Sequence, residues 1–421
     1  MMGQGPVRTH TFHGGEPGAA GPVYDPFSFG IHEDPYPAYA WMREHAPVYR
    51  NAERDFWALS RYIDVLAALR DPQRFSSRNG ISLEPGLWGP DAYKTSFFLA
   101  MDPPEHTRLR GLVRHAFSPR EVPRLEGRIR ELARARLAPL LSKPGFDFAG
   151  EFAAALPNDV ICELIGIPAA DRDRIRALND QLKLHEDSSE SATADQRLAG
   201  LRLAEYYIGL IADRRRHPGD DLTSLLVQAR ADEEPLTDMQ LVSFLFLLVS
   251  GTNDSAGKLL GNAWYHGWLL PDVQRAGLNG RAADWMEESL RYDTPSQMTA
   301  RTLTEDIELH GTRVPAGARV ALLPASANRD RRVFRDPDRF DLNRDTSQSI
   351  SFGHGPHFCL GAALARLEMR IALDEIGAVV SGYEIDMDGA VRVHSPHQRG
   401  FAVLPCSVTL RNRRPAARIG A

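Results

Sequence analysis

Cys359 is the residue of this chain best placed for metal chemistry. It lies in "SFGHGPHFCLGAALAR", residues 351–366, where three glycines and two histidines precede an alanine-rich helical stretch. A phosphate-binding loop is excluded by spacing: the third position after Gly355 is Phe358, and no lysine precedes the helix. A buried structural cysteine or a metal thiolate remains. The dipole of the helix that follows favours a thiolate at Cys359. Cys162 and Cys406 sit in apolar stretches and read as core residues. Three cysteines so far apart fit a reducing compartment better than a disulfide framework.

Other reactive side chains gather in short motifs. "DPPEHTRLR" (102–110) carries His106 and Arg110 one helical turn apart. "EESLR" (287–291) carries Glu288 and Arg291 at i, i+3. Arg301 follows in "QMTARTL", and Arg339 in "DPDRF" (336–340). The stretch "VSGTNDSAGKLLGN" (249–262) sets acids and hydroxyls inside an otherwise apolar helix.

The elements that must position these residues are mostly helical. From about 105 to 270 nearly every segment has a helical period, and a capping box at Thr237 and Gln240 opens a long buried helix. "PVYRNAERDFWALS" predicts a hairpin, while "IELHG", "RVALLP" and "FAVLPCSVTL" predict short strands. Residues 78–100 mix Gly and Pro with aromatics, as a long functional loop does. Residues 1–22 read as a mobile leader, 186–195 as a mobile connection, 23–410 as one domain and 411–421 as a short basic tail. A net charge of −5 argues against nucleic acid as a partner. The longest apolar run, Phe244–Val249, is far short of the roughly 20 residues that span a bilayer. We therefore expect a soluble, cytoplasmic protein.

In their order along the chain these motifs resemble a soluble bacterial cytochrome P450, over about residues 24–410. The resemblance implies a mostly α fold with minor β, a long central helix over heme b and small sheets at one side. It implies Cys359 as the iron ligand, with Phe352, Gly353 and Gly361 shaping the loop around it. His106, Arg110, Arg301 and His357 match the family's propionate-binding positions, and Glu288, Arg291 and Arg339 its structural salt-bridge triad. Gly251 belongs to the oxygen-binding part of the long helix. The family's acid–threonine pair is altered here: one alignment puts Asp254 and Ser255 at those positions, the other Asn253 and Asp254. The first keeps an acid followed by a hydroxyl.

The implied pocket takes in the 78–100 loop, Leu247, "QMTA" (297–300) and "HQRGF" (397–401). Trp88, Phe97, Phe98, Met298 and Phe401 make it apolar, with Arg399 or Lys94 able to meet a carboxylate. The implied activity is insertion of one oxygen atom of dioxygen into a small-to-medium hydrophobic substrate by a monomeric enzyme. No flavin signature is present, so electrons from NAD(P)H would arrive through a separate ferredoxin and ferredoxin reductase. Arg110, Arg114 and Arg366 would offer the carrier a basic patch. The altered pair keeps two alternatives open: a peroxide-driven or isomerase-type heme enzyme, and a non-catalytic heme protein.

Overall fold

The computed structural model describes residues 21–183, 193–231 and 234–412. All but the last two residues of the expected leader, most of the 186–195 connection and nearly all of the basic tail thus lie outside the described residues. Thr193, at the end of that connection, caps the helix Ala194–Arg216 through a reciprocal capping box with Gln196.

The expected hairpin forms from strands β1 (Val48–Asn51) and β2 (Phe56–Leu59). Helix α1 (Tyr62–Arg70) and the short strand β3 (Phe75–Ser76) follow. Much later, β4 (Thr299–Leu303) and β5 (Arg319–Leu322) join them in one five-stranded sheet of order β1-β2-β5-β4-β3. β5 runs parallel to β2, and the other pairs are antiparallel. Strand alternation splits the apolar side chains between two cores. Val320 and Leu322 pack with Leu59, Val65 and Leu69 on one face. Ala321 packs with Phe56, Ala58, Tyr39 and Met42 on the other. The central strand, covered on both sides, therefore tolerates no charge at 320–322.

The larger core is helical and surrounds α3 (Asp238–Leu269). Thr237 and Gln240 cap it reciprocally, as their spacing predicts. Its 32 residues span about 48 Å. Phe244, Leu245, Leu248, Val249, Leu260 and Trp264 are buried along it. At Gly257 the helix touches backbone: a Cβ there would lie 2.9 Å from Ala154 Cα.

Three more helices complete the frame of the site: α2 (Glu105–Val113), α4 (Ala282–Tyr292) and α5 (Ala362–Val379). The other predicted strands form at Ile307–Leu309, Phe401–Val403 and Pro405–Leu410. The 78–100 loop contains only two 3-10 turns and a four-residue helix.

Candidate functional site

The cysteine loop is folded by its own backbone. The Cys359 amide donates to the Phe352 carbonyl at 2.9 Å, and the Phe358 amide to Gly355 at 3.0 Å. Gly353 and Gly355 have φ of +70° and +69°, a region that penalises any side chain. Gly355 has a second reason to be glycine: a Cβ would come within 2.4 Å of the Leu69 carbonyl, so the loop sits directly on α1. Gly361 caps α5, and a Cβ there would meet no protein atom within 4 Å.

Burial pushes the Cys359 thiol above its usual pKa. A hydrogen bond from the Gly361 amide and the charges of Arg110 and Arg366 pull the other way. A bound metal cation would tip that balance to the thiolate. Arg366 stacks 4.6 Å over the half-buried Phe352 ring and is ion-paired to Glu287. Among the described residues no group of three or more His, Cys, Asp or Glu converges on one point.

The cations gather nearby. His106 is buried on α2, its ring 4.0 Å from that of His357, and neither of its ring nitrogens has a partner. Arg301, buried on β4, donates to Thr299 Oγ1 at 2.9 Å and to the Ala300 carbonyl at 2.7 Å. Arg110 reaches the Phe358 carbonyl at 2.5 Å. Neither arginine has a carboxylate within ion-pair distance among the described residues. Burial, reinforced by Arg110, takes His106 down to about 4; burial, reinforced by Arg301, takes His357 down to about 2. Burial likewise lowers Arg301 to about 10. Basic groups packed together at such cost, with unused donors, form a cradle for an anion. Two carboxylates on one flat prosthetic group, its metal on Cys359, fit this donor set.

Two neighbours escaped the sequence reading. Asp102 is buried beside the cations, accepting from Ser76 Oγ at 2.6 Å and from the Ser77 amide at 2.8 Å. Ser77 Oγ in turn lies 3.3 Å from His357 Nε2. Asp102 opens the "DPPEH" motif, and an acid next to a histidine destined for an anion was the signal available.

On α3, Gly251 is exposed while Leu248 and Val249 beside it are buried. A Cβ on Gly251 would touch nothing within 4 Å, so the helix faces open space at this point. Ser255 Oγ lies 3.4 Å from the Gly251 carbonyl one turn away, and Thr252 Oγ1 donates to Leu248 at 2.8 Å. Asn253 and Asp254 belong to the helix, but their side chains lie outside the described residues.

The triad departs from expectation at one member. Glu288 and Arg291 are buried and doubly bonded, at 2.8 and 2.7 Å. The third member is Arg344, whose Nε lies 3.1 Å from Glu288 Oε1. Arg339 is exposed and supplies only its carbonyl, which accepts from Arg344 at 2.9 Å. The turn at 336–340 directs the Arg339 side chain outward, and Arg344 folds back in its place.

Other expectations are corrected by burial. Arg399 cannot meet a ligand carboxylate: it is buried on Asp293 at 2.8 Å and bonded to the His32 and Glu33 carbonyls. Lys94 is exposed and paired with Asp91 at 2.9 Å. Phe97 and Phe98 pack on Phe244, and Phe401 on Tyr265, while Leu247 and Trp88 are half-buried. Of the expected basic patch Arg114 is exposed, with no ion pair among the described residues, while Arg110 turns to the loop and Arg366 to Glu287.

Comparison with known proteins places this geometry. The cytochrome P450 family model matches residues 284–408. A protein named putative cytochrome P450 123, from Mycobacterium tuberculosis (strain ATCC 25618 / H37Rv), is 47% identical over 393 residues, covering 92% of this chain and 98% of its own. The vitamin D(3) 25-hydroxylase of Pseudonocardia autotrophica is 36% identical over 394 residues, covering 91% and 96%. Among solved structures, the cytochrome P450 PksS of the Bacillus subtilis 168 bacillaene polyketide synthase superposes with a TM-score of 0.83 at 32% identity, covering 92% of this chain and 100% of that one.

Proposed function

Because the chain belongs to the cytochrome P450 family, whose members carry heme, we propose that it is a monooxygenase binding heme b through Cys359. The reading is carried by one observation. A lone cysteine, held by left-handed glycines, shares its site with His106, Arg110, Arg301 and His357, basic groups crowded together without a protein carboxylate to pair the arginines. Bound heme would supply dioxygen activation and oxygen insertion into a C–H bond, at the expense of two electrons and two protons.

The chain's own residues do the rest. Cys359 binds the metal, with the Gly361 amide steadying its sulfur, and Phe352 screens it from water. Arg110 and Arg301 would neutralise the two carboxylates, and His106 and His357, held neutral by burial, would add hydrogen bonds that orient the ring. The open face at Gly251 leaves room for a small reactant. Ser255, one helical turn from Gly251, would supply the hydroxyl of the proton relay, and Asp254 its acid.

The substrate is a small-to-medium hydrophobic molecule. Electrons come from NAD(P)H through a ferredoxin and its reductase, with Arg114 at the docking face. The protein works as a monomer in the cytoplasm; no helix among the described residues is long and apolar enough to cross a membrane.

The test is spectroscopic, then catalytic. Purified protein, reduced under carbon monoxide, should show the absorption of a thiolate-ligated heme, and a panel of apolar compounds should shift the resting spectrum toward high-spin iron. Compounds that shift it should be oxidised when ferredoxin, reductase and NAD(P)H are supplied. The missing threonine favours a second reading, a peroxide-driven enzyme. Product with peroxide alone, and none with reduced ferredoxin, would select it.

A further inference from the structure

Arg366 occupies an unfavourable place for an arginine. It sits in the second turn of α5, seven residues after Cys359, and the first turn contains no acid. A cation near a helix N-terminus opposes the dipole, so helix stability does not account for it. Its contacts are specific instead. The guanidinium carbon lies 4.6 Å from the centroid of the half-buried Phe352 ring. Nε donates to Glu287 Oε1 at 2.5 Å, and Nη2 reaches Glu287 Oε2 at 3.4 Å. Glu287 is itself well anchored: it belongs to α4, one residue before Glu288, which Arg291 and Arg344 hold in the buried triad. Arg366 is therefore clamped between a ring and a carboxylate.

The clamp leads back to Cys359. The Cys359 amide donates to the Phe352 carbonyl, so ring and sulfur belong to one hydrogen-bonded loop. Burial raises the Cys359 thiol pKa, but the Gly361 amide and the charges of Arg110 and Arg366 lower it, so the Arg366 charge is felt at the sulfur. The two arginines differ in what becomes of that charge. Arg110 belongs to the anion cradle, where the carboxylates of a bound group would neutralise it. Arg366 has Glu287 as its ion-pair partner among the described residues, and a ring face covers its other side. A field that crosses an aromatic ring is screened less than one that crosses water.

We propose that Arg366, held against Phe352 by Glu287, sets the electron affinity of the iron: its charge favours the reduced state, and Glu287 both positions that charge and offsets part of it. Reduction adds one negative charge to the unit of iron and thiolate. A nearby cation lowers the free energy of that added charge, and a nearby carboxylate raises it. The proposal rests on the heme-thiolate reading. Arg366 and Glu287 are positioning residues, acting through Phe352 and Cys359.

The experiment is a spectroelectrochemical titration of the heme-loaded full chain. Arg366→Gln should lower the ratio of reduced to oxidised heme about tenfold at a fixed solution potential, a midpoint lower by about 59 mV for a one-electron couple. Glu287→Gln keeps an oxygen acceptor for Arg366 but removes the offsetting charge, and should raise the ratio about three- to tenfold. Arg366→Lys keeps the cation and should recover most of the loss. In the reduced carbon monoxide complex the C–O stretch should fall in Arg366→Gln and rise in Glu287→Gln, because a cation draws electron density from the thiolate. Added salt should shrink both shifts, since the arginine and glutamate side chains are 40% and 27% exposed. A mere tie between α4 and α5 is broken by either variant alike, and it predicts potential shifts of one sign or none. That result, or Arg366→Lys behaving as Arg366→Gln does, would overturn the proposal alone. If Arg366→Gln is not recovered with heme, the upward shift in Glu287→Gln carries the test, and its absence overturns the proposal. Wild-type protein without thiolate-heme absorption would instead overturn the heme reading, and the proposal with it.

Discussion

Cys359→Ser replaces a soft sulfur by a hydroxyl that stays protonated near neutral pH. The variant should retain less heme, and its reduced carbon monoxide complex should lack the thiolate signature, read from the visible spectrum. Cys359→Ser removes charge and softness while leaving the loop's hydrogen bonds, so a folded protein with altered absorption is the expected pattern. A second residue-scale contrast concerns the arginines after α4. Arg344→Ala removes one partner of the buried Glu288, which stays doubly bonded to Arg291, and should cost about 1.5–3 kcal/mol by urea unfolding. Arg339→Ala, at an exposed site, should stay within about 0.5 kcal/mol. The sequence reading had given the triad role to Arg339 and had not singled out Arg344. "DPDRF" is a recognisable string, but which arginine folds back depends on the path of a loop without periodicity. Cys359 was legible because its glycines and histidines are contiguous in sequence. Asp102 was not, since its meaning comes from cations brought to it by other elements.

At the scale of elements, α3 decides what reaches the iron side of the site. Gly251→Ala places a methyl where no protein atom lies within 4 Å. It should leave thermal stability unchanged or raised by about 1 kcal/mol through helix propensity, while lowering product formation. A drop in activity alongside a raised melting temperature would locate the reactant at that open face. Asp254→Asn should slow turnover more than it weakens substrate binding, measured as kcat against the Kd of the spectral shift. Equal turnover would return the acid position to Asn253. The long helix itself was readable from its capping box and apolar run, yet the identity of its acid–hydroxyl pair was not. A one-residue ambiguity moves a side chain about 100° around the axis, and composition is blind to that rotation. The Ser255 contact with the Gly251 carbonyl is the local bond a helical hydroxyl makes one turn back, as Thr252 makes to Leu248, and it leaves both frames open.

For the whole molecule, the buried Asp293 network governs acid tolerance. Burial alone would raise the Asp293 pKa, but Arg399 and His266 outweigh it and hold the carboxyl well below its usual value of 3.8. Its contribution is therefore complete above that value and lost as the pH falls through the folded pKa. Burial lowers His266 from 6.5, so in acid the unfolded chain takes up that proton first and again gains on the folded one. Both groups make stability decline as pH drops. Asp293→Asn should lose about 3–5 kcal/mol near neutral pH by leaving Arg399 unpaired, and should show a flatter decline below about pH 4 in thermal melts.

The five-stranded sheet carries a further implication. β2 pairs with β1 at once, but its other edge waits for β5, where Trp57 meets Val320. On a translating ribosome the hairpin must stand with one side unpaired until most of the chain has emerged. A message cut short before codon 322 would yield helices able to associate and a bare strand edge beside them, open to the same edge on another truncated copy.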